Sequence, residues 1–223
     1  MTILRHFIYD HFYRRGHAPD LATMIDELQQ PREAVLAELA RLAADHAIVL
    51  NPKGDAIDVA HPFATLPTPF LVENRHGKWW GNCAWDSLAI ASLSPHDATT
   101  ITTTSGADGG EPLVLTVQDA AVSDASLVVH FAVPASRWWD DVRYTCATIL
   151  LFRGADELPA WCARHGIAHG EVVPVTTVWQ LARAWYSDKL DADWKRKSVA
   201  EAQAILDRFE LRGDFWDLSR GWS

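Results

Sequence analysis

Hydrophobic residues recur with a helical period before His61 and gather into short strand-like runs after Thr68, so no single repeating architecture can accommodate the whole chain. In the first part, Ile3, Leu4, Phe7, Ile8 and Phe12 form one helical stripe, which the Gly16–Pro19 segment breaks. Asp20 then suits the N-cap of a second helix, with Leu21, Met24, Ile25 and Leu28 on one face and an end near Gln30. Pro31 suits the first position of a third, which turns Val35, Leu36, Leu39 and Leu42 inward. Ile48 to Leu50, a turn over Asn51 to Asp55 and Ile57 to Val59 complete a hairpin. This order predicts a winged-helix-like helical module over residues 1–60. Such modules can bind DNA, but the segment 31–46 sets Arg32 and Arg41 against Glu33, Glu38 and Asp45 and is not basic, so a structural or lid role is expected.

The stretch His61–Thr68, with Pro62 and Pro67 inside it, reads as a linker at 61–68. Beyond it, Phe70–Glu73 and Lys78–Trp80 flank a turn, and strands are expected at Thr99–Thr104, Leu113–Gln118, Leu127–Val133 and Thr148–Phe152. Helices are expected at Cys83–Leu93, Asp156–His165, Val178–Ser187 and Ser198–Leu211. The fold class is therefore α+β: a mixed or antiparallel sheet with flanking helices over 69–223, preceded by the winged-helix-like module, with an extended helical C-terminal region.

Charge narrows the partners. Lys and Arg number 20 and Asp and Glu 29, a formal net charge of −9, which opposes attraction to phosphate backbones or anionic lipid. No apolar run approaches the roughly 20 residues that span a bilayer, and the first residues lack the pattern of a secretory leader. A cytoplasmic protein with neither nucleic acid nor membrane as partner is expected. Its three cysteines, Cys83, Cys146 and Cys162, are an odd number at long spacing, which suits free thiols in a reducing compartment.

Trp79-Trp-Gly-Asn-Cys-Ala-Trp-Asp86, followed by an apolar helix, is the most informative tract. Asn82 reads as the N-cap, which sets Cys83 in the first turn, where the helix dipole favours a thiolate. Asp86 lies one turn on and shares its face. Taken singly, each cysteine is as well explained by core packing, and Asp86 by a helix-start hydrogen bond. Cys146 stands just ahead of an expected buried strand. Cys162 reads as a packing residue of an amphipathic helix, and Asp191–Lys197 as a solvated surface or helix-start element. His165 and His169 have the spacing of a helical metal pair, but Gly166 between them and the missing Glu argue against zinc.

Trp80-Gly-Asn-Cys-Ala-Trp-Asp-Ser-Leu88, with the Thr-rich strand, Leu113–Val117, Asp141-Val-Arg143 and Cys146, resembles the organomercurial (alkylmercury) lyases over roughly residues 1 to 180. The resemblance implies that Cys83 and Cys146 are catalytic thiolates that hold mercury, that Asp86 is the catalytic proton carrier, and that Asp86 is a further candidate metal contact. It implies protonolysis of a carbon–mercury bond in a small organomercurial, with mercury(II) as bound product, no cofactor required, and cellular thiols or a mercuric reductase as acceptors. The chain departs from the family pattern in two places. A further, structural cysteine is replaced around Ser105, and the region after Thr176 is longer, which points to a reshaped pocket. Two other readings stay open: a family-like enzyme for a carbon–sulfur or carbon–metalloid bond, and a non-enzymatic thiol-based metal-responsive DNA-binding regulator.

The chemistry is coherent. Mercury(II) is soft and prefers thiolates, and two sulfurs gripping it nearly linearly would stand roughly 4.5–5 Å apart on the scale of zinc–sulfur bonds. The departing carbon needs a proton, which a neighbouring carboxyl can take from a thiol and return.

Overall fold

The computed structural model describes residues 3–221. Three helices open the chain: α1 (Ile3–Arg15), α2 (Leu21–Leu28) and α3 (Arg32–Ala44). The expected stripe of α1 is buried at Leu4, Ile8 and Phe12, and Asp20 caps α2 by accepting a hydrogen bond from the Thr23 amide at 2.7 Å. Pro31 stands one place earlier than expected, at the N-cap of α3, where its extended ψ of 148° precedes the first helical residue. On α3, Val35, Leu39 and Leu42 face inward, and Arg41 is paired at 2.6 Å with both Glu38 and Asp45.

The hairpin of β1 (Val49–Leu50) and β2 (Ile57–Ala60) does not end in a free tether. The segment expected as a linker carries β3 (Phe63–Ala64), which pairs with β2 on one side and with β5 (Gly77–Gly81) on the other. β4 (Leu71–Asn74) forms the expected hairpin with β5, Asn74 facing Gly77. With β6 (Thr99–Thr104), β7 (Pro112–Gln118) and β8 (Ala121–Val122), these strands make one eight-stranded antiparallel sheet, ordered β1-β2-β3-β5-β4-β6-β7-β8. α1 lies against β5: the Trp79 indole donates to the Phe12 carbonyl at 3.0 Å, and Phe12 stacks on Phe63 with centroids 5.3 Å apart.

Between β5 and β6 runs α4 (Ala84–Ser92), all of whose residues are buried. It packs against the sheet and against α7 (Val175–Tyr186). Burying Trp85, Leu88 and Ile90 contributes roughly 1.5–3 kcal/mol each, which holds the helix in place although its capping is modest. Gly81 permits the tight join, since a Cβ there would lie 2.9 Å from Cα of Ser87. A smaller antiparallel sheet follows, ordered β10 (Leu150–Phe152), β9 (Val128–Phe131), β11 (Glu171–Pro174).

One helix had no counterpart in the sequence reading. Residues expected to lead straight into a strand form α5 (Val142–Thr148), started by the Asp141 carboxylate on the Tyr144 amide at 3.0 Å. Strand β10 therefore begins two residues later than expected, after Ile149. The helices α6 (Leu158–His165) and α8 (Val199–Arg208) lie within their expected spans. Among the described residues, no helix is long and apolar enough to cross a membrane.

Candidate active site

The site grows from the junction of β5 and α4. Cys83, not Asn82, is the N-cap: its backbone is extended, and its sulfur accepts the Asp86 amide at 3.3 Å. Its carbonyl accepts both the Ser87 amide at 2.9 Å and the Ser87 hydroxyl at 2.7 Å. The next amide, that of Ala84, donates to the Ile149 carbonyl at 3.0 Å. Ile149 is the C-cap of α5, so this bond draws the last turn of α5, and Cys146 with it, onto the start of α4. Cys146 thus stands on a helix rather than at the mouth of a strand. Its thiol lies near enough to that of Cys83 and to the Asn82 side chain for each to affect its ionisation.

Asp86 projects into the same place. It is 2% exposed, and each carboxylate oxygen has a partner. Oδ1 accepts the Tyr186 hydroxyl at 3.1 Å, and Oδ2 lies 3.0 Å from Nδ1 of His61. Both partners come from elsewhere in the chain, Tyr186 from the end of α7 and His61 from the turn between β2 and β3. Cys83, Asp86, Cys146, His61 and Tyr186 line one cavity of about 90 Å³. Potential ligand atoms of His61, Asp86 and Cys146 lie within 4.8 Å of one another. Trp85, Trp138, Trp139 and Trp185 supply apolar wall, with Trp138, Trp185 and Tyr186 meeting the Trp85 ring edge-on.

Electrostatics here run against one expectation. The helix start does not lower the Cys83 thiol: burial pushes it well above the usual range, the hydrogen bond with Cys146 and the charge of Asp86 push the same way, and the Asp86 amide opposes them too weakly. For Cys146, the hydrogen bond with Cys83 pulls down, but burial and Asp86 outweigh it and the thiol rises. Burial and the adjoining Asp86 charge likewise raise the Tyr186 phenol well above its ordinary range. Both thiols therefore hold their protons at neutral pH, and a base is needed to remove one.

The other sequence candidates lie outside this cavity. Cys162 is packed inside α6, and Ser105 bonds to the Glu157 carboxylate and accepts the Arg153 amide at 3.2 Å. His165 pairs with Asp108 at 3.0 Å, and the left-handed Gly166 ends α6 before His169, so the two histidines do not share a helix. Asp191–Lys197 corrects the sequence reading: it is not simply a solvated element, because Trp194, Arg196 and Lys197 line the cavity alongside Lys189. Ring contacts hold it there, with the Arg5 guanidinium 4.2 Å and the Lys189 ammonium 3.8 Å from the Trp194 ring. His61 and Tyr186 were not named as site residues, although Tyr186 falls in the longer region expected to reshape the pocket, and neither carries a local signal: one precedes a proline in an apparent linker, and the other ends an amphipathic helix.

Comparison with known proteins bears on this arrangement. No curated protein matches the chain. Among solved structures, the chain is similar to one described as the crystal structure of the mercury-bound form of MerB2, with 19% sequence identity, a TM-score of 0.64, and coverage of 86% of this chain and 93% of that one. At that identity the likeness shows the fold. The family model described as "MerB: Alkylmercury lyase" matches residues 63–187, more than half of the sequence and the stretch that carries both site cysteines, Asp86, β3 to β11 and α7. The chain accordingly belongs to the alkylmercury lyases, enzymes that break carbon–mercury bonds.

Proposed function

We propose that the chain protonates the carbon of a carbon–mercury bond, with Cys83 and Cys146 as the thiolates that take mercury and Asp86 as the proton carrier. The observation that carries this reading is the convergence of both cysteines and a buried carboxylate on one cavity. In an R–Hg–X substrate, one thiol forms a sulfur–mercury bond and its proton leaves with X as HX. The second thiol gives its proton to Asp86 and forms the second sulfur–mercury bond. Donation from two sulfurs weakens the mercury–carbon bond, whose electron pair goes to carbon, and Asp86 returns the proton there. The products are RH, HX and mercury(II) held by two sulfurs, with no oxidation or reduction and no cofactor.

His61 and Tyr186 support the same reading, because they fix both carboxylate oxygens while the proton is in transit. Soft mercury prefers the sulfurs to the nearby imidazole and carboxylate. It would leave by exchange with cellular thiols or the thiols of a mercuric reductase. We take residues 1–60 as a module that walls the site, contributing His46, and 69–223 as the catalytic part, joined through 61–68. The ion-paired surface of α3 favours this role over DNA reading.

The test is direct. Purified protein with phenylmercury and excess thiol should release benzene and mercury(II) in equal amounts, and Cys83→Ala or Cys146→Ala should abolish release. Phenylmercury left intact by folded wild-type protein refutes the proposal.

A further inference from the structure

The lyase chemistry uses Cys83, Asp86 and Cys146, yet the same cavity is also lined by three cationic side chains that it does not need: Lys189, Arg196 and Lys197. Arg196 feels the charge of Asp45, and Lys197 lies 3.3 Å from both oxygens of Asp188. Neither acid lines the cavity. Lys189 differs from both. It is 6% exposed, and its ammonium meets the rings of Trp194 at 3.8 Å and Tyr9 at 5.0 Å. No hydrogen bond or ion pair to that ammonium is present among the described residues.

The wall is short of acceptors in other ways too. The indole N–H groups of Trp85 and Trp194, both cavity residues, are buried without a partner. Buried donors of this kind are normally matched, and a buried ammonium is normally paired. The cavity's one carboxylate, Asp86, is already engaged by His61 and Tyr186.

We infer that the preferred substrates of this chain are organomercurials whose organic group carries an anionic substituent such as a carboxylate, received by Lys189 with Arg196 and Lys197 while the mercury meets the two sulfurs. The inference rests on the lyase reading and narrows its substrate class. Burial depresses the Lys189 ammonium well below its ordinary range, so an incoming anion also gains by restoring that charge. The cationic residues all lie beyond residue 187, where the family match ends.

The test compares 4-carboxyphenylmercury with 4-carbamoylphenylmercury, nearly identical in size and differing in charge, with phenylmercury alongside. A charge-assisted contact predicts that kcat/KM for the carboxylate exceeds that for the amide by roughly tenfold or more. Lys189→Met should bring the ratio near one; because the ratio is read within one variant, any general loss of activity cancels. Should Lys189→Met fail to fold, Lys197→Gln at its partly exposed position should lower the ratio instead. A wild-type ratio of one or less, or a ratio that survives both substitutions, overturns the inference. Cleavage of phenylmercury without charge preference sinks this inference alone, whereas cleavage of none of the three compounds sinks the lyase reading with it.

Discussion

Replacing Asp86 with asparagine separates proton transfer from everything else the residue does. The amide has nearly the same size, and in this 2%-exposed position it can still bond to both His61 and Tyr186, so the fold should survive. What it cannot do is take a proton from a thiol and pass it to carbon. Loss of a positioned acid–base group costs about 10²- to 10⁴-fold in rate. A second effect has the opposite sign: the Asp86 charge is one of the causes that push both thiols up, so its removal makes thiolate easier to form. If thiolate formation alone limited cleavage, Asp86→Asn would be faster than wild type near neutral pH. The residual activity of the variant should instead depend on spontaneously ionised thiol, which grows about tenfold per pH unit below the thiol pKa. Benzene release from phenylmercury, followed across neutral to mildly alkaline pH, reads both features. Turnover by Asp86→Asn at or above the wild-type rate would refute the assignment of Asp86 as proton carrier.

Three further outcomes can be checked more quickly. Tyr186→Phe removes one of the two partners of Asp86 and should lower kcat about tenfold, in keeping with loss of a hydrogen bond to a charged group, with little change in KM; an unchanged kcat would show that the hydroxyl positions nothing. Gly81→Ala sets a methyl 2.9 Å from Cα of Ser87 and should cost about 1–3 kcal/mol in urea unfolding while shifting the start of α4 and depressing turnover. Because the Lys189 pKa is lowered in the folded protein, the unfolded chain binds more protons below the ordinary lysine range, near 10.5, and folding is penalised there. Lys189→Met should therefore raise the melting temperature at neutral pH, and this gain should shrink as pH approaches that value.

Much of the scaffold can be read from the sequence because its signals are local. The threonine run gives β6 to the residue, Asp20 caps its helix, and the apolar stripe of α1 is buried as its spacing requires. α5 escaped because it is only seven residues long and rich in Val, Tyr and Thr, which fit strands as well; Asp141 was the one available mark of a helix start. That Cys83, Asp86 and Cys146 share one cavity was legible only through family resemblance, whereas spacing alone left each open to a packing role. His61, Tyr186 and the Lys189–Lys197 segment were illegible for a physical reason. Each reaches the cavity through contacts between residues distant in sequence, 25 apart for His61 and Asp86, 100 for Tyr186 and Asp86 and 186 for Arg5 and Asp191, and no short window encodes such a meeting.

The use of a sulfur to begin α4 has a practical consequence for separating chemistry from folding. Oxygen is the better helix starter, and serine is among the preferred residues at that position. Exchanging Cys83 for serine should hold or slightly raise stability, by up to about 1 kcal/mol, while removing one of the two sulfurs that the proposed mechanism gives to mercury. An alanine there would blur the result by loosening the helix as well, so serine is the cleaner instrument.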